Sequence, residues 1–223
     1  MPDRSAGEPL ARDRHASRVA GTKFVPPPLP GVYAAQPTLV HHVGTSVRTT
    51  TATVIRAPAG SGKSTLARAV VDSLELPWSW VTLDEWDDGS RLLELIYGSL
   101  ARVGVDLGGL RQLVAGSSTA FTVRDAATIV VNDLLGSTVE PVVVVLDDAH
   151  QLAAQADAVA LLAELLVLAP PSLHLLLTTR HPLPLSMARL ETIGRVAQIE
   201  PDSLSVDVEQ ASRILVKMGA SVG

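Results

Sequence analysis

With 223 residues and no cysteine, the chain is long enough to bury about 70% of the surface its unfolded form exposes, and it excludes disulfides, thiolate zinc sites and cysteine nucleophiles. A formal net charge of −5, with no basic block in the folded part, argues against a direct grip on DNA or RNA, which rests on neutralising phosphates with Lys and Arg. No apolar run approaches the ~18 residues of a membrane span and the opening segment has no signal-peptide core, so a cytoplasmic chain without membrane contact is expected.

Residues 1–23 carry few large apolar side chains and many charges, the composition of a disordered leader. Residues 24–50 follow as a strap and lead-in: "FVPPPLPG" is held extended by its prolines, and "QPTLVHHVG" predicts a short helix. From 51 to 203 strand and helix patterns alternate. "TTATVIRA", "WSWVTLD", "PVVVVLDDAH", "LHLLLTTR" and "RVAQIE" read as five strands; "TLARAVVDSLEL", "SRLLELIYGSLARVG", "VRDAATIVVNDLLG" and "DAVALLAELLVLAP" read as helices. The glycine- and serine-rich stretch 106–120 reads as irregular. Residues 204–223 predict a C-terminal amphipathic helix, with Asp207 and Gln210 at capping-box spacing and Gly219 at its stop, a segment that could open a following module. Continuous apolar strands alternating with helices imply an α/β fold, a parallel sheet covered on both faces.

The segment Ala57-Pro58-Ala59-Gly60-Ser61-Gly62-Lys63-Ser64 matches G-x-x-x-x-G-K-[ST] except at its first position. The glycines let the backbone turn its amides inward, and a helix N-terminus completes an anion cradle. Lys63 is placed to reach the β- and γ-phosphates, Ser64 to ligate Mg2+ and Thr65 to donate to an α-phosphate. The alternative, a glycine turn that only joins strand to helix, fits less well, because the loop follows a strand, opens a helix and carries the Lys-Ser pair.

A phosphate loop of this kind needs a carboxylate on another strand to hold the magnesium, usually through water. Asp147, at the end of "VVVVLD", is the candidate for the metal; Asp148 is the candidate to orient or deprotonate an attacking water. His150 is as well explained by packing or capping as by a sensing role at the γ-phosphate. Thr179 and Arg180 close the fourth strand, where ligands sit in open α/β sheets. Arg180 has two equal readings, contact with the γ-phosphate and a salt bridge beside the acidic pair. Asp84, Glu85, Asp87 and Asp88 form a further acidic loop, read as solvated in preference to metal-binding.

In order along the chain, "KFVPPPLPG", "APAGSGKSTLA", "WSWVTLDEWDDGSRLLELI", "VVVLDDAHQL" and "LLLTTRHPLPLSMARL" resemble the blocks of the STAND-class P-loop NTPase domain of MalT-like large LuxR-type transcriptional regulators, over about residues 23 to 217. The resemblance implies a P-loop NTPase fold in which the Arg180 strand lies between the P-loop strand and the Asp147 strand. It implies an ATP-dependent switch: an ADP-bound resting form, an ATP-bound form that self-associates, and slow hydrolysis as the reset. Phosphate and Mg2+ fall to Lys63 and Ser64, metal and hydrolysis to Asp147 and Asp148, and sensing to Arg180. Gln36 and Thr38 stand where relatives carry basic residues near the base pocket. DNA contact is expected only through modules absent from this chain. Competing readings are a P-loop ATPase or kinase with its own acceptor substrate, and a non-hydrolysing nucleotide-binding interaction module.

Overall fold

The computed structural model describes residues 19–29, 37–116, 122–137 and 140–200. The expected C-terminal helix with its Asp207–Gln210 cap, and most of the expected leader, lie outside the described residues. Five strands, β1 (Ala52–Arg56), β2 (Trp78–Thr82), β3 (Val142–Asp147), β4 (Leu173–Thr179) and β5 (Val196–Ile199), form one sheet in the order β2-β3-β4-β1-β5. Every pairing is parallel. β4, which ends one residue before Arg180, lies between the P-loop strand β1 and the Asp147 strand β3, as the resemblance implies.

The continuous apolar runs follow from burial on both faces. Along β3, Val143 and Val145 enter one core with Ile55 and Leu176, while Val142, Val144 and Leu146 enter the other with Leu175 and Leu177. Helices α1 (Pro37–Thr49) and α2 (Lys63–Ser73) cover the first face through Val43, Val47, Leu66 and Val70. Helices α3 (Gly89–Arg102), α4 (Gly108–Val114), α5 (Val123–Gly136) and α6 (Ala156–Leu168) supply the core of the other. Asp88 caps α3 by accepting the Arg91 N–H at 2.8 Å, and Thr122 with Asp125 forms a capping box on α5. Among the described residues, no helix is long and apolar enough to cross a membrane.

Two expectations change. The stretch read as irregular holds α4, whose first amides are answered from another helix: Asp133 accepts from Gly109 N at 3.2 Å and Leu110 N at 2.7 Å. A Cβ on Gly109 would come within 2.9 Å of Asp133 Oδ1, so that glycine permits a close approach between helices rather than breaking one. Leu110 is fully buried beneath it. The lead-in helix α1 also runs five residues beyond "QPTLVHHVG", to Thr49. Val47 continues the face of Val43 one turn on, and Thr45, Ser46 and Thr49 turn their hydroxyls back to carbonyls four residues earlier, which keeps these polar groups satisfied inside the helix. A short helix α7 (Met187–Thr192) between β4 and β5 also goes beyond the pattern read from sequence.

Candidate functional site

β1 delivers the chain into the glycine loop at the carboxyl end of the sheet. Ala57 is still core: it is buried, and its N–H donates to the Thr179 carbonyl at 3.2 Å, extending the β1–β4 pairing by one residue. Its backbone stays outside the left-handed region, so a methyl in place of the usual glycine adds no strain. Gly60 and Gly62 do adopt that region, at φ +77° and +83°, where a side chain would cost about 1–2 kcal/mol. Nothing lies within 4 Å of a Cβ at either, so the need there is conformational. Ser61 Oγ and Lys63 Nζ both donate to the Pro58 carbonyl at 2.8 Å, which curls the loop over its own lysine.

Pro58, Ala59, Gly60 and Gly62 are exposed at the rim, and Ser64 and Thr65 are half-buried on the first turn of α2. No side chain caps that turn, so its outward amides are open to an anion. Lys63 is only 6% exposed. Burial lowers its pKa; Asp148 opposes this, Arg180 adds to it, and Asp147 opposes it more weakly.

Asp147 arrives from β3, 5% exposed. Its Oδ1 accepts from Ser64 Oγ at 2.8 Å and from Thr178 Oγ1 at 2.5 Å. Burial raises the carboxyl pKa; the Thr178 and Ser64 hydroxyls pull it back, and the neighbouring Asp148 charge pushes it up again. A hydroxyl and a carboxylate oxygen meeting beside a phosphate loop are hard donors of the type Mg2+ takes in small number, alongside water and phosphate oxygens. A neighbouring cation would relieve the burial cost of the Asp147 charge. No group of three or more His, Cys, Asp or Glu that could hold a metal occurs among the described residues, so a cage built from protein ligands alone is not present there.

Asp148 begins the 3-10 turn Ala149–Ala154 in the left-handed conformation, φ 58° and ψ 41°, with its N–H donated to Thr178 Oγ1 at 2.9 Å. Its Oδ1 lies 3.7 Å from Arg180 Nε and 3.7 Å from His150 Nδ1. Arg180 is exposed, so the structure displays the salt-bridge reading while leaving the guanidinium open to solvent. His150 is largely buried, its ring edge-on to His181, and its Nδ1 has no hydrogen-bond partner. Burial pushes its pKa down.

Two further residues and one loop differ from what the sequence suggests. Thr179 is fully buried and donates to the His181 carbonyl at 2.6 Å, so it braces the strand end instead of facing the loop. Thr178, one residue earlier and on the opposite face, bridges Asp147 and Asp148. Strand alternation narrows the choice without making it, since only one of two adjacent threonines can point at the acidic pair. The acidic loop after β2 is neither simply solvated nor open to a metal: Asp87 is 1% exposed and pairs with Lys23, which also lies 2.9 Å from Asp84 Oδ2. Asp88 is spent as the α3 cap, and the Glu85 carbonyl accepts from Gln155 Nε2 at 2.8 Å.

No family model and no curated protein matches the sequence. Solved structures do match in shape. A Walker-type ATPase of Pyrococcus abyssi aligns with a TM-score of 0.50 and 15% identity, over 86% of this chain and 60% of that one. A signal-transduction ATPase with numerous domains (STAND) carrying a tetratricopeptide repeat sensor, from Pyrococcus horikoshii, aligns at 0.56 and 16%, over 91% of this chain and 28% of that one. The Orc1 protein of Aeropyrum pernix, solved in complex with DNA, aligns at 0.53 and 16%, over 86% and 50%. The fold is that of the P-loop ATPases. At these identities the likeness concerns the fold alone, and the chain spans between 28% and 60% of the length of these proteins.

Proposed function

We propose that the chain is the nucleotide-controlled switch domain of a MalT-like, LuxR-type regulator of the STAND class, binding ATP or ADP with Mg2+ and hydrolysing ATP slowly. The observation that carries this reading is the 2.8 Å hydrogen bond from Ser64 to Asp147, which joins the start of the P-loop helix to the end of a strand 83 residues later. A glycine turn serving only as a connector has no use for a buried carboxylate at that point, nor for a buried lysine beside it.

Residues 59–62 cradle the phosphates with backbone amides, while Ala57, whose N–H is held by Thr179, and Pro58, which has none, shape the entry to the loop; Thr65 donates to the α-phosphate. Lys63 exchanges the Pro58 carbonyl for phosphate oxygens, a stronger bond because the acceptor is then charged as well as the donor. Ser64 and Asp147 would hold Mg2+, Asp147 through water. When bound, the ion neutralises charge on the β- and γ-phosphates. Asp148 orients or deprotonates the attacking water, and Arg180 turns from Asp148 to the γ-phosphate. The order of the sequence blocks and the STAND-like fold support the regulatory setting, in which the ATP form self-associates and DNA is contacted through other modules.

Calorimetric titration of nucleotide-stripped protein with ATP and with ADP, in Mg2+, tests this. Wild type is expected to bind both, and Lys63→Ala to lose about 100-fold in affinity, the scale of one charge-assisted bond to phosphate. A folded wild-type chain that binds neither nucleotide, or a Lys63→Ala protein that binds as wild type does, overturns the reading.

A further inference from the structure

Asp148 is held from behind and contested in front. Its backbone is fixed by the left-handed turn and by the bond from its N–H to Thr178, so the carboxylate can only swivel. In front of it, Arg180 Nε and His150 Nδ1 converge on the same oxygen, each at 3.7 Å. That is ion-pair range, yet too long for a hydrogen bond to either. The two groups differ in what else they can reach. Arg180 stands in solvent at the strand end beside the phosphate loop. His150 is enclosed, its Nδ1 shut off from water with no hydrogen-bond partner, a condition that folded proteins rarely leave uncompensated.

We propose that His150 is a positioning residue that exchanges with Arg180 as the partner of Asp148, so that the site distinguishes a triphosphate from a diphosphate. The inference rests on the proposed nucleotide site. A γ-phosphate draws the exposed Arg180 away, and the freed carboxylate swivels to accept the His150 Nδ1–H, satisfying the buried donor. A diphosphate offers Arg180 no γ-oxygen, and the Arg180–Asp148 pair persists. His150 thereby offsets part of the cost of releasing Arg180, and this gain exists only with ATP. The buried nitrogen without a partner is then the mark of a group whose partner arrives in the other state of the site.

The test is the ratio of ATP to ADP affinity, measured by calorimetry in Mg2+ for His150→Asn, His150→Gln and His150→Phe, each alone and with Asp148→Gly. Asparagine places an amide N–H near the position of Nδ1, glutamine near that of Nε2, and phenylalanine fills the volume without a donor. The ratio is expected to fall about tenfold in H150Q and H150F, the scale of one lost hydrogen bond, and to stay within about twofold of wild type in H150N. In the Asp148→Gly background, which removes the acceptor and suits the left-handed turn, the three His150 variants are expected to show no further fall. The contrast of asparagine with glutamine carries the test whether or not phenylalanine packs. Equal ratios for those two variants, or the same fall with and without the Asp148 carboxylate, overturn the exchange while nucleotide binding stands. A folded wild-type chain that binds neither nucleotide overturns the site and the exchange together.

Discussion

Two acidic strand ends stand side by side on this sheet and have opposite characters. β2 runs into Asp84 and Asp87, and β3 runs into Asp147 and Asp148; the strands are paired, and Leu83 N still donates to the Asp147 carbonyl at 3.0 Å where the two loops begin. Asp87 and Asp147 are about equally buried, at 1% and 5% exposure. What separates them is the partner. Asp87 is met by the ammonium of Lys23, from a segment 64 residues earlier, and by the backbone N–H of Asp84 at 2.8 Å. Asp147 is met by two hydroxyls, which share its charge without cancelling it. A buried carboxylate with its counter-charge built into the chain has a structural task, whereas one left with neutral donors is open to a cation from outside.

The contrast is sharpest in the effect of Asp87→Ala. Removing this carboxylate leaves Lys23, whose side chain is 18% exposed, beside the Asp84 carboxylate alone and frees the Asp84 N–H. Breaking an enclosed pair from one side costs about 3 kcal/mol. Urea unfolding is expected to show a midpoint lowered accordingly, while ATP affinity changes less than about threefold, because the cluster has no part in the phosphate site. The segment that carries Lys23 has a second hold: Phe24 packs under Arg102, 3.7 Å from guanidinium carbon to ring centroid, where Gly98 leaves room for its ring. A loss of nucleotide binding in Asp87→Ala as large as that in Lys63→Ala would erase the distinction between the two strand ends.

The sequence carries these two regions unequally. The phosphate loop and β3 are readable because their chemistry is local: glycines, Lys63 and Ser64 fall within five residues, and the apolar run announces the strand that ends in Asp147. The strand order follows from a resemblance between blocks of sequence, and the parallel sheet bears it out. Long-range pairing is what the sequence conceals. Nothing near Lys23 points to Asp87, and nothing in 106–120 points to Asp133, so a neutralised cluster reads as an acidic loop and a helix start reads as a glycine-rich break. Thr178 and His150 are hidden for a related reason. Their neighbours are visible, but which of two threonines faces inward, and whether a ring nitrogen finds a partner, are settled by packing.

Within the proposed phosphate site, Thr178 is the residue whose loss separates support from contact. It donates to Asp147 and accepts from the Asp148 N–H, so Thr178→Val keeps the shape, strands the Asp148 N–H and leaves Asp147 with the Ser64 hydroxyl alone. A buried polar group left unpartnered costs about 2 kcal/mol, and that loss is expected in urea unfolding. Removing the hydroxyl that lowers the Asp147 pKa also raises that pKa further. Mg2+-dependent ATP binding is therefore expected to fail at a higher pH in Thr178→Val than in wild type as the solution is acidified. Identical acid limbs for the two proteins would show that Thr178 braces the backbone without tuning the carboxylate.

The smallest effect has the opposite sign. Because burial raises the Asp147 pKa, the folded chain binds a proton there over a pH range in which the unfolded chain does not. Stability therefore rises as pH falls through that range, and at neutral pH the ionised carboxylate is a burden on the fold. Asp147→Asn removes the burden and keeps an acceptor for the Ser64 and Thr178 hydroxyls, so without nucleotide it is expected to stabilise the protein at pH 7 by about 1 kcal/mol, a rise of roughly 2–4 °C in Tm. The advantage should shrink on acidification, as the wild-type carboxylate becomes neutral in its turn. With Mg2+ and ATP the order should reverse, because only the charged side chain gains from the cation. The same substitution at Asp87 removes half of an ion pair and should destabilise the protein in every condition. An Asp147→Asn protein that is less stable than wild type without nucleotide would place Asp147 beside Asp87, as a structural carboxylate.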